Sequence, residues 1–216
     1  MFPTTRYSVL AGIDSDEPHL RAAAWERFSE AYWQPAFRYL GRRWRLDREQ
    51  AEDWTQEFFA GLLAKDVVER YEAARGSFHN YLRVCLDNHV RSRLSAQRAS
   101  EPLDFELADT SPSPEEIFLL EWQREIMSLA VASLERLAEE RGKQVAFAVF
   151  SAYDLSAEER PSYEDLADRY AIPVTQVTNY LAWARRELRR LALERLASLS
   201  MNEREYRAEA RRLFAE

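Results

Sequence analysis

The stretch SYEDLADRYAIPVTQVTNYLAWARRELRR, residues 162–190, reads as two helices joined by a short turn. Ser162, with Asp165 three residues on, resembles a capping box in which Asp replaces the usual Glu or Gln. Leu166 and Ala167 point inward from the first helix, and Ala171, Ile172 and Pro173 form the turn. Ala171 stands where glycine often relieves such a turn, and Pro173 where a capping Ser or Thr is usual. The second helix starts at Val174 and carries Val177, Leu181, Ala184 and Leu188 at core spacing. Thr175, Gln176, Thr178, Asn179 and Trp183 then point outward, followed by Arg185, Arg186, Arg189 and Arg190. A second helix of this kind enters the DNA major groove N-terminus first. There Gln and Asn can pair with adenine edges, at about 1–3 kcal/mol each when bidentate, and arginines meet phosphates. The same pattern also fits a plain helical hairpin with a solvated polar face.

Outward from this stretch, the whole chain reads as helical. Its 216 residues leave room for one large or two small domains. Only 5 are glycine, while Ala, Leu, Glu and Arg dominate and strand-like alternation is hard to find, so the expected fold class is all-α. Residues 100–116 are rich in Pro, Ser and acid, the composition of a flexible acidic linker. The expected organisation is therefore an N-terminal segment 1–17, a helical module 18–98, a linker 99–113, a second helical module 114–197 and a helical extension 198–216. In the first module Pro18 suits a first helical turn, and Leu20, Ala24, Phe28 and Ala31 recur on one face. Pro35 is expected to kink or restart that helix. Asp47 can cap a third segment, whose apolar stripe is Ala51, Trp54, Phe58 and Leu62. A fourth carries Phe78, Leu82, Leu86 and Val90. In the second module Ile117, Leu120, Ile126, Leu129 and Leu134 supply apolar positions, followed by Val145, Phe147 and Phe150.

Net charge is −7, yet the charges are segregated, and segregation decides what a surface attracts. Residues 37–48 hold five arginines against Asp47, and residues 75–98 hold five against Asp87. Basic patches thus persist within an acidic total. The lone Cys85 excludes an internal disulfide, and its apolar surroundings read as those of a small buried hydrophobe. His19, His79 and His89 have no metal-ligand spacing, and no phosphate-binding glycine loop is present. Neither an enzyme nor a bound cofactor or metal is expected. No apolar run approaches a membrane span and the N-terminus lacks a signal-peptide pattern, so a cytoplasmic protein with no membrane partner is expected.

Three segments follow in order along the chain: Gln50-Ala51-Glu52-Asp53-Trp54-Thr55-Gln56-Glu57-Phe58-Phe59, Arg75-Gly76-Ser77-Phe78-His79-Asn80-Tyr81-Leu82, and Tyr163-Glu164-Asp165-Leu166-Ala167 running into Val174-Thr175-Gln176-Val177. Together they resemble bacterial sigma factors of the extracytoplasmic-function type. Thr4-Thr5-Arg6-Tyr7-Ser8 and the tail through Leu213-Phe214 are similar to a branch of that family with an extra C-terminal helix. The resemblance implies a transcription initiation factor that binds core RNA polymerase, recognises minus-35 and minus-10 promoter elements and helps melt the latter. It makes Glu49, Glu52, Asp53, Gln56 and Glu57 the polymerase-docking face. It places minus-10 capture on Arg75, Phe78, Asn80, Arg83, Asn88 and Arg91, and minus-35 binding on Thr175, Gln176, Thr178, Asn179, Trp183, Arg185 and Arg186. The clamp and flap of polymerase, promoter DNA, and an anti-sigma factor or Ser/Thr kinase are the implied partners.

The chain departs from the family at several positions. Gln50 replaces an acid, Arg91 replaces a common Asp, and Thr178 and Tyr180 occupy positions that are often basic. A phosphate on Thr55, beside Gln50, would restore the missing negative charge. Two other functions suit parts of the same sequence. One is a stand-alone helix-turn-helix regulator; the other is a sigma-like adaptor that binds polymerase or a partner protein without reading a promoter.

Overall fold

The computed structural model describes every residue except 1–8, 14, 65–69, 73–76, 99–111, 157–158, 201 and 215–216. Of the described residues 86% are helical and none is in a strand, so the fold is all-α. In chain order the helices are α1 (Val9–Ile13), α2 (Pro18–Trp44), α3 (Arg48–Ala64), α4 (Phe78–Arg98), α5 (Pro114–Glu140), α6 (Gln144–Phe150), α7 (Tyr163–Tyr170), α8 (Val174–Leu199) and α9 (Glu203–Phe214). A π-helical turn, Ser151–Leu155, continues from α6. The chain forms two compact units, one of Met1–Glu125 with Leu196–Glu216 and one of Ile126–Arg195. The expected linker 99–113 lies, apart from residues 112–113, outside the described residues. The division falls inside α5 and α8, and the expected extension 198–216 belongs to the first unit.

In the first unit, Pro18 opens α2 at the first helical positions, where its missing N–H costs nothing. Pro35 does not break the helix: α2 runs unbroken to Trp44. Pro35 and its neighbours Ala31, Tyr32, Ala36, Tyr39 and Leu40 are all buried, and that burial offsets the cost of the lost hydrogen bond. Arg45 ends α2 in the left-handed conformation (φ 50°). Asp47 then caps α3 by accepting from the Gln50 N–H at 2.8 Å.

Helical period decides what is buried. Ala51, Trp54, Phe58 and Leu62 of α3 are all buried, as are Phe78, Leu82, Leu86 and Val90 of α4. Phe28 joins them at the centre, with ring centroids 4.9 Å from Tyr32, 5.9 Å from Phe59 and 6.0 Å from Phe78. Leu20, Leu120 and Val145, expected on apolar faces, are exposed. Leu20 and Val145 lie in the first turns of α2 and α6.

The second unit has its own core of Leu134, Ala138, Ala146, Val149, Phe150, Leu166, Ala167, Val177, Leu181, Trp183 and Ala184. These positions come from α5, α6, α7 and α8, so the helix pair at 162–190 is built into this core on its inner side. Among the described residues, no helix is long and apolar enough to cross a membrane.

Candidate nucleic-acid interface

The turn between α7 and α8 is fixed at both ends. Ser162 Oγ accepts from the Asp165 N–H at 3.0 Å, and Asp165 Oδ2 accepts from the Ser162 N–H at 3.0 Å. The capping box is thus complete with Asp, and these bonds hold the Asp165 carboxyl below its ordinary range. At the other end Ala171 is left-handed (φ 52°, ψ 48°). The Ile172 N–H donates to the Ala167 carbonyl at 3.0 Å and the Ala171 N–H to the Asp168 carbonyl at 3.3 Å, a Schellman closure. Ile172 packs on the core as that motif requires. Pro173 leads into α8, its carbonyl accepting from the Gln176 N–H at 2.8 Å. A proline supplies no capping side chain, and none is needed to start the helix here.

Thr175, Thr178, Asn179, Ala182, Arg185, Arg186 and Arg189 of α8 are exposed, and their spacing makes one polar stripe along the helix. Gln176 is half-buried at its edge. Trp183 does not belong to the stripe. It is only 7% exposed, packs in the core, and has the Lys143 Nζ 5.1 Å from its ring centroid. Six residues after Val177, it sits at the flank of the inward face, and a side chain this large is drawn into the core there.

The arginines of this stripe differ from one another. Arg185 makes a two-pronged pair with Asp154 of the π-helical turn, Nε to Oδ2 at 2.8 Å and Nη2 to Oδ1 at 2.9 Å. Its guanidinium also lies 5.7 Å from the Tyr153 ring centroid. The Asp154 bonds raise its pKa further, so the charge is permanent but already matched by a carboxylate. Arg190 is held by Glu187 at 2.9 Å and Glu194 at 2.8 Å. Arg186 is exposed, with a looser approach to Glu187 at 3.7 Å.

The first unit carries the other expected residues. Glu49, Glu52, Asp53 and Gln56 are exposed on α3, beside exposed Gln50. Glu57 is exposed too, but forms an ion pair with Arg93 of α4. Thr55 lies on the opposite side of the helix. It is fully buried, and its hydroxyl donates to the Ala51 carbonyl at 2.6 Å, so it is no surface for a phosphate. Phe78 is likewise fully buried, between Phe28, Tyr32 and Tyr71. It cannot stack on an unpaired base in this structure, because its ring faces are already covered. Asn80 holds Arg83 (2.8 Å), and Arg83 in turn reaches Asp87 (2.7 Å). Asn88 and Arg91 are exposed, and Arg91 donates to Asn88 Oδ1 at 3.3 Å. Arg75 lies outside the described residues.

Four carboxylates that organise these surfaces were not singled out by the sequence. Asp87 is buried and accepts from Tyr39 Oη at 2.9 Å, Trp44 Nε1 at 3.0 Å and Arg83. The signal was its isolation, a single acid among five arginines. Asp154 holds Arg185, as described. Glu205 and Glu209 of α9 are both buried. Glu205 Oε1 accepts from the Phe78 N–H at 2.9 Å, at the start of α4. Glu209 Oε1 lies 4.0 Å from His79 Nε2, whose other nitrogen meets Tyr32 Oη at 3.0 Å. Burial and Arg212 bring the His79 pKa down to about 3, so the imidazole is neutral. The four-residue spacing of Glu205 and Glu209 was visible, but nothing local tells an inward acidic face from a solvated one. Cys85 is half-buried with its thiol pKa raised by that burial. Among the described residues, no three His, Cys, Asp or Glu side chains converge as a metal site requires. Compared with known proteins, the chain matches no protein-family model, no curated protein and no solved structure.

Proposed function

We propose that this chain is an extracytoplasmic-function-like sigma factor, a non-enzymatic protein that binds core RNA polymerase and directs it to a promoter. The observation that carries the reading is the exposed stripe of α8. Thr175, Thr178, Asn179, Arg186 and Arg189 share one outer face, on a helix whose entry is fixed by a capping box and a Schellman closure. A rigid α8 presenting amide, hydroxyl and guanidinium groups suits major-groove readout at a minus-35 element. The exposed acids Glu49, Glu52 and Asp53 of α3 suit a basic patch on polymerase. Asn88 and Arg91 of α4 suit the minus-10 region. A phosphate contact is better assigned to Arg186 than to Arg185, whose fork Asp154 already fills.

One observation favours a second reading. Phe78, the aromatic assigned to strand opening, is buried, which suits an adaptor that binds polymerase without melting DNA.

The test is transcription by core polymerase with the purified chain on fragments of its own genome. Promoter-specific transcripts support the sigma factor. Tight core binding with no transcript from any fragment overturns it in favour of the adaptor, and DNA binding without core binding favours a stand-alone regulator. Within a positive result, Arg186→Ala should flatten the salt dependence of promoter binding by about one counterion, and Arg185→Ala should change it less.

A further inference from the structure

The C-terminal helix α9 is docked in an unusual way. Its buried residues are Glu205 and Glu209, whereas Arg204, Arg207 and Arg211 face outward. A terminal helix usually docks by an apolar stripe. This one presents carboxylates to the N-terminal end of α4. There Glu205 takes the Phe78 N–H, one of the first-turn donors that a helix offers to an anion.

The fit around Glu209 is incomplete. Among the described residues, His79 Nε2 and Glu209 Oε2 are buried with no hydrogen-bond partner. They belong to side chains only 6% and 2% exposed. The 4.0 Å between His79 Nε2 and the other Glu209 oxygen is too long for a hydrogen bond. Tyr32 faces His79 from α2, Arg212 faces it from α9, and the Trp122 ring of α5 is tilted against it with centroids 3.8 Å apart. A half-satisfied buried polar network holds a helix less firmly than packed apolar side chains do. The same place opens into a cleft shared by His79, Asn80 and Arg83 of α4, Glu115 of α5 and Arg212 of α9. Asn80 and Arg83 are two of the residues assigned to minus-10 capture.

We infer that α9 is a displaceable plug. Its carboxylates Glu205 and Glu209 fill, from within the chain, the anion-receptive end of α4, and its release opens that end to the phosphates of single-stranded promoter DNA. The inference rests on the proposed promoter function and adds its regulation. While α9 is seated, Glu205 occupies the Phe78 N–H, and Glu209, paired with Arg212 at 3.2 Å, covers His79. Removal of α9 frees the Phe78 N–H and uncovers His79, while Arg83 stays held by Asp87 and Asn80.

The test uses the full-length chain and two kinds of variant. Glu205→Gln with Glu209→Gln weakens the plug's charge. Arg207→Pro breaks α9 at an exposed position and removes a positive charge, so a gain in DNA binding there is not mere charge neutralisation. Glu203→Gln, at an exposed site on the same helix, matches one charge change without touching α4. Hydrogen exchange at the Phe78 amide reports docking, and fluorescence anisotropy of a labelled single-stranded oligonucleotide reports DNA binding. Both undocked variants should exchange faster at Phe78 and bind about tenfold tighter if the seated form holds about nine-tenths of the molecules. Glu203→Gln should do neither. Unchanged exchange in Arg207→Pro would show that Glu205 does not hold α4, and overturns the plug. Faster exchange with equal or weaker binding also overturns it, and leaves the promoter reading standing. Binding by none of the forms would sink minus-10 capture itself, and the plug with it.

Discussion

Replacing Asp87 should cost the first unit a large share of its stability. Its two oxygens have separate tasks. Oδ1 accepts from both Tyr39 Oη and Trp44 Nε1, and Oδ2 accepts from Arg83 Nη1. Tyr39 and Trp44 belong to α2, so the carboxylate ties α4 to the helix beneath it. In Asp87→Ala, two buried donors lose their acceptor at about 1–3 kcal/mol each. Arg83 keeps Asn80 and is partly solvated, so its loss is smaller. The sum is about 3–5 kcal/mol, comparable with breaking a buried ion pair and a large share of the 5–15 kcal/mol typical of a domain. Asp87→Asn makes a sharper test. The amide oxygen can still serve Tyr39 and Trp44, while the amide nitrogen turns a donor toward Arg83. The cost should fall to about 2 kcal/mol, near that of one charge-assisted bond. Urea unfolding followed by tryptophan fluorescence reads this unit, because Trp25, Trp33, Trp44, Trp54 and Trp122 lie in it and only Trp183 does not. Equal losses for Ala and Asn, or a loss under about 1 kcal/mol for Ala, would refute the division of labour between the two oxygens.

Two further changes test the backbone and the buried histidine. Ala171 is left-handed at φ 52° and Gly142 at φ 63° with open space around an added Cβ, so the two sites differ mainly in side chain. Ala171→Gly should stabilise the second unit by about 0.5–1 kcal/mol and Gly142→Ala destabilise it by about 1 kcal/mol, both read by thermal unfolding; the same sign at both sites would mean that contacts, not φ, set the cost. His79 stays neutral in the folded chain down to about pH 3 but takes a proton in the unfolded chain near its ordinary 6.5. The stability it contributes is therefore present above about pH 6.5 and is lost as pH falls toward 3, by about 1.4 kcal/mol at pH about 5.5. Glu209, raised by burial, works in the opposite sense as it gains a proton in the folded state at acid pH. Urea midpoints measured well above pH 6.5 and at pH about 5.5 should converge in His79→Asn, and an unchanged acid loss would place the responsible proton elsewhere.

The residues that read correctly from sequence are those whose surroundings repeat along the chain. The stripe Ala51, Trp54, Phe58, Leu62 was legible because burial on a helix recurs every three or four residues, and all four are buried. The turn at 171–173 was legible because a Schellman closure is a local matter of six residues. Trp183 was not, because its position relative to Val177 places it at the edge of the stripe, and Lys143, forty residues earlier, helps decide which way an edge residue turns. Thr55 failed for a similar reason: adjacency in sequence to Gln50 and Glu52 puts it beside an acidic face in print, while the helix rotates it to the far side. The carboxylates show the deeper limit. Asp87 meets Tyr39 across 48 residues, Arg185 meets Asp154 across 31, and Phe78 meets Glu205 across 127. A charge pattern gives the sign a surface offers, but whether an arginine is available to a phosphate depends on which distant carboxylate has reached it first. Arg186 and Arg185 are neighbours with the same side chain, and only the π-helical turn that brings Asp154 to α8 makes them unlike. Their assignment in the proposed DNA interface is therefore a tertiary property, set for Arg185 by the two-pronged Asp154 and for Arg186 by the looser approach of Glu187.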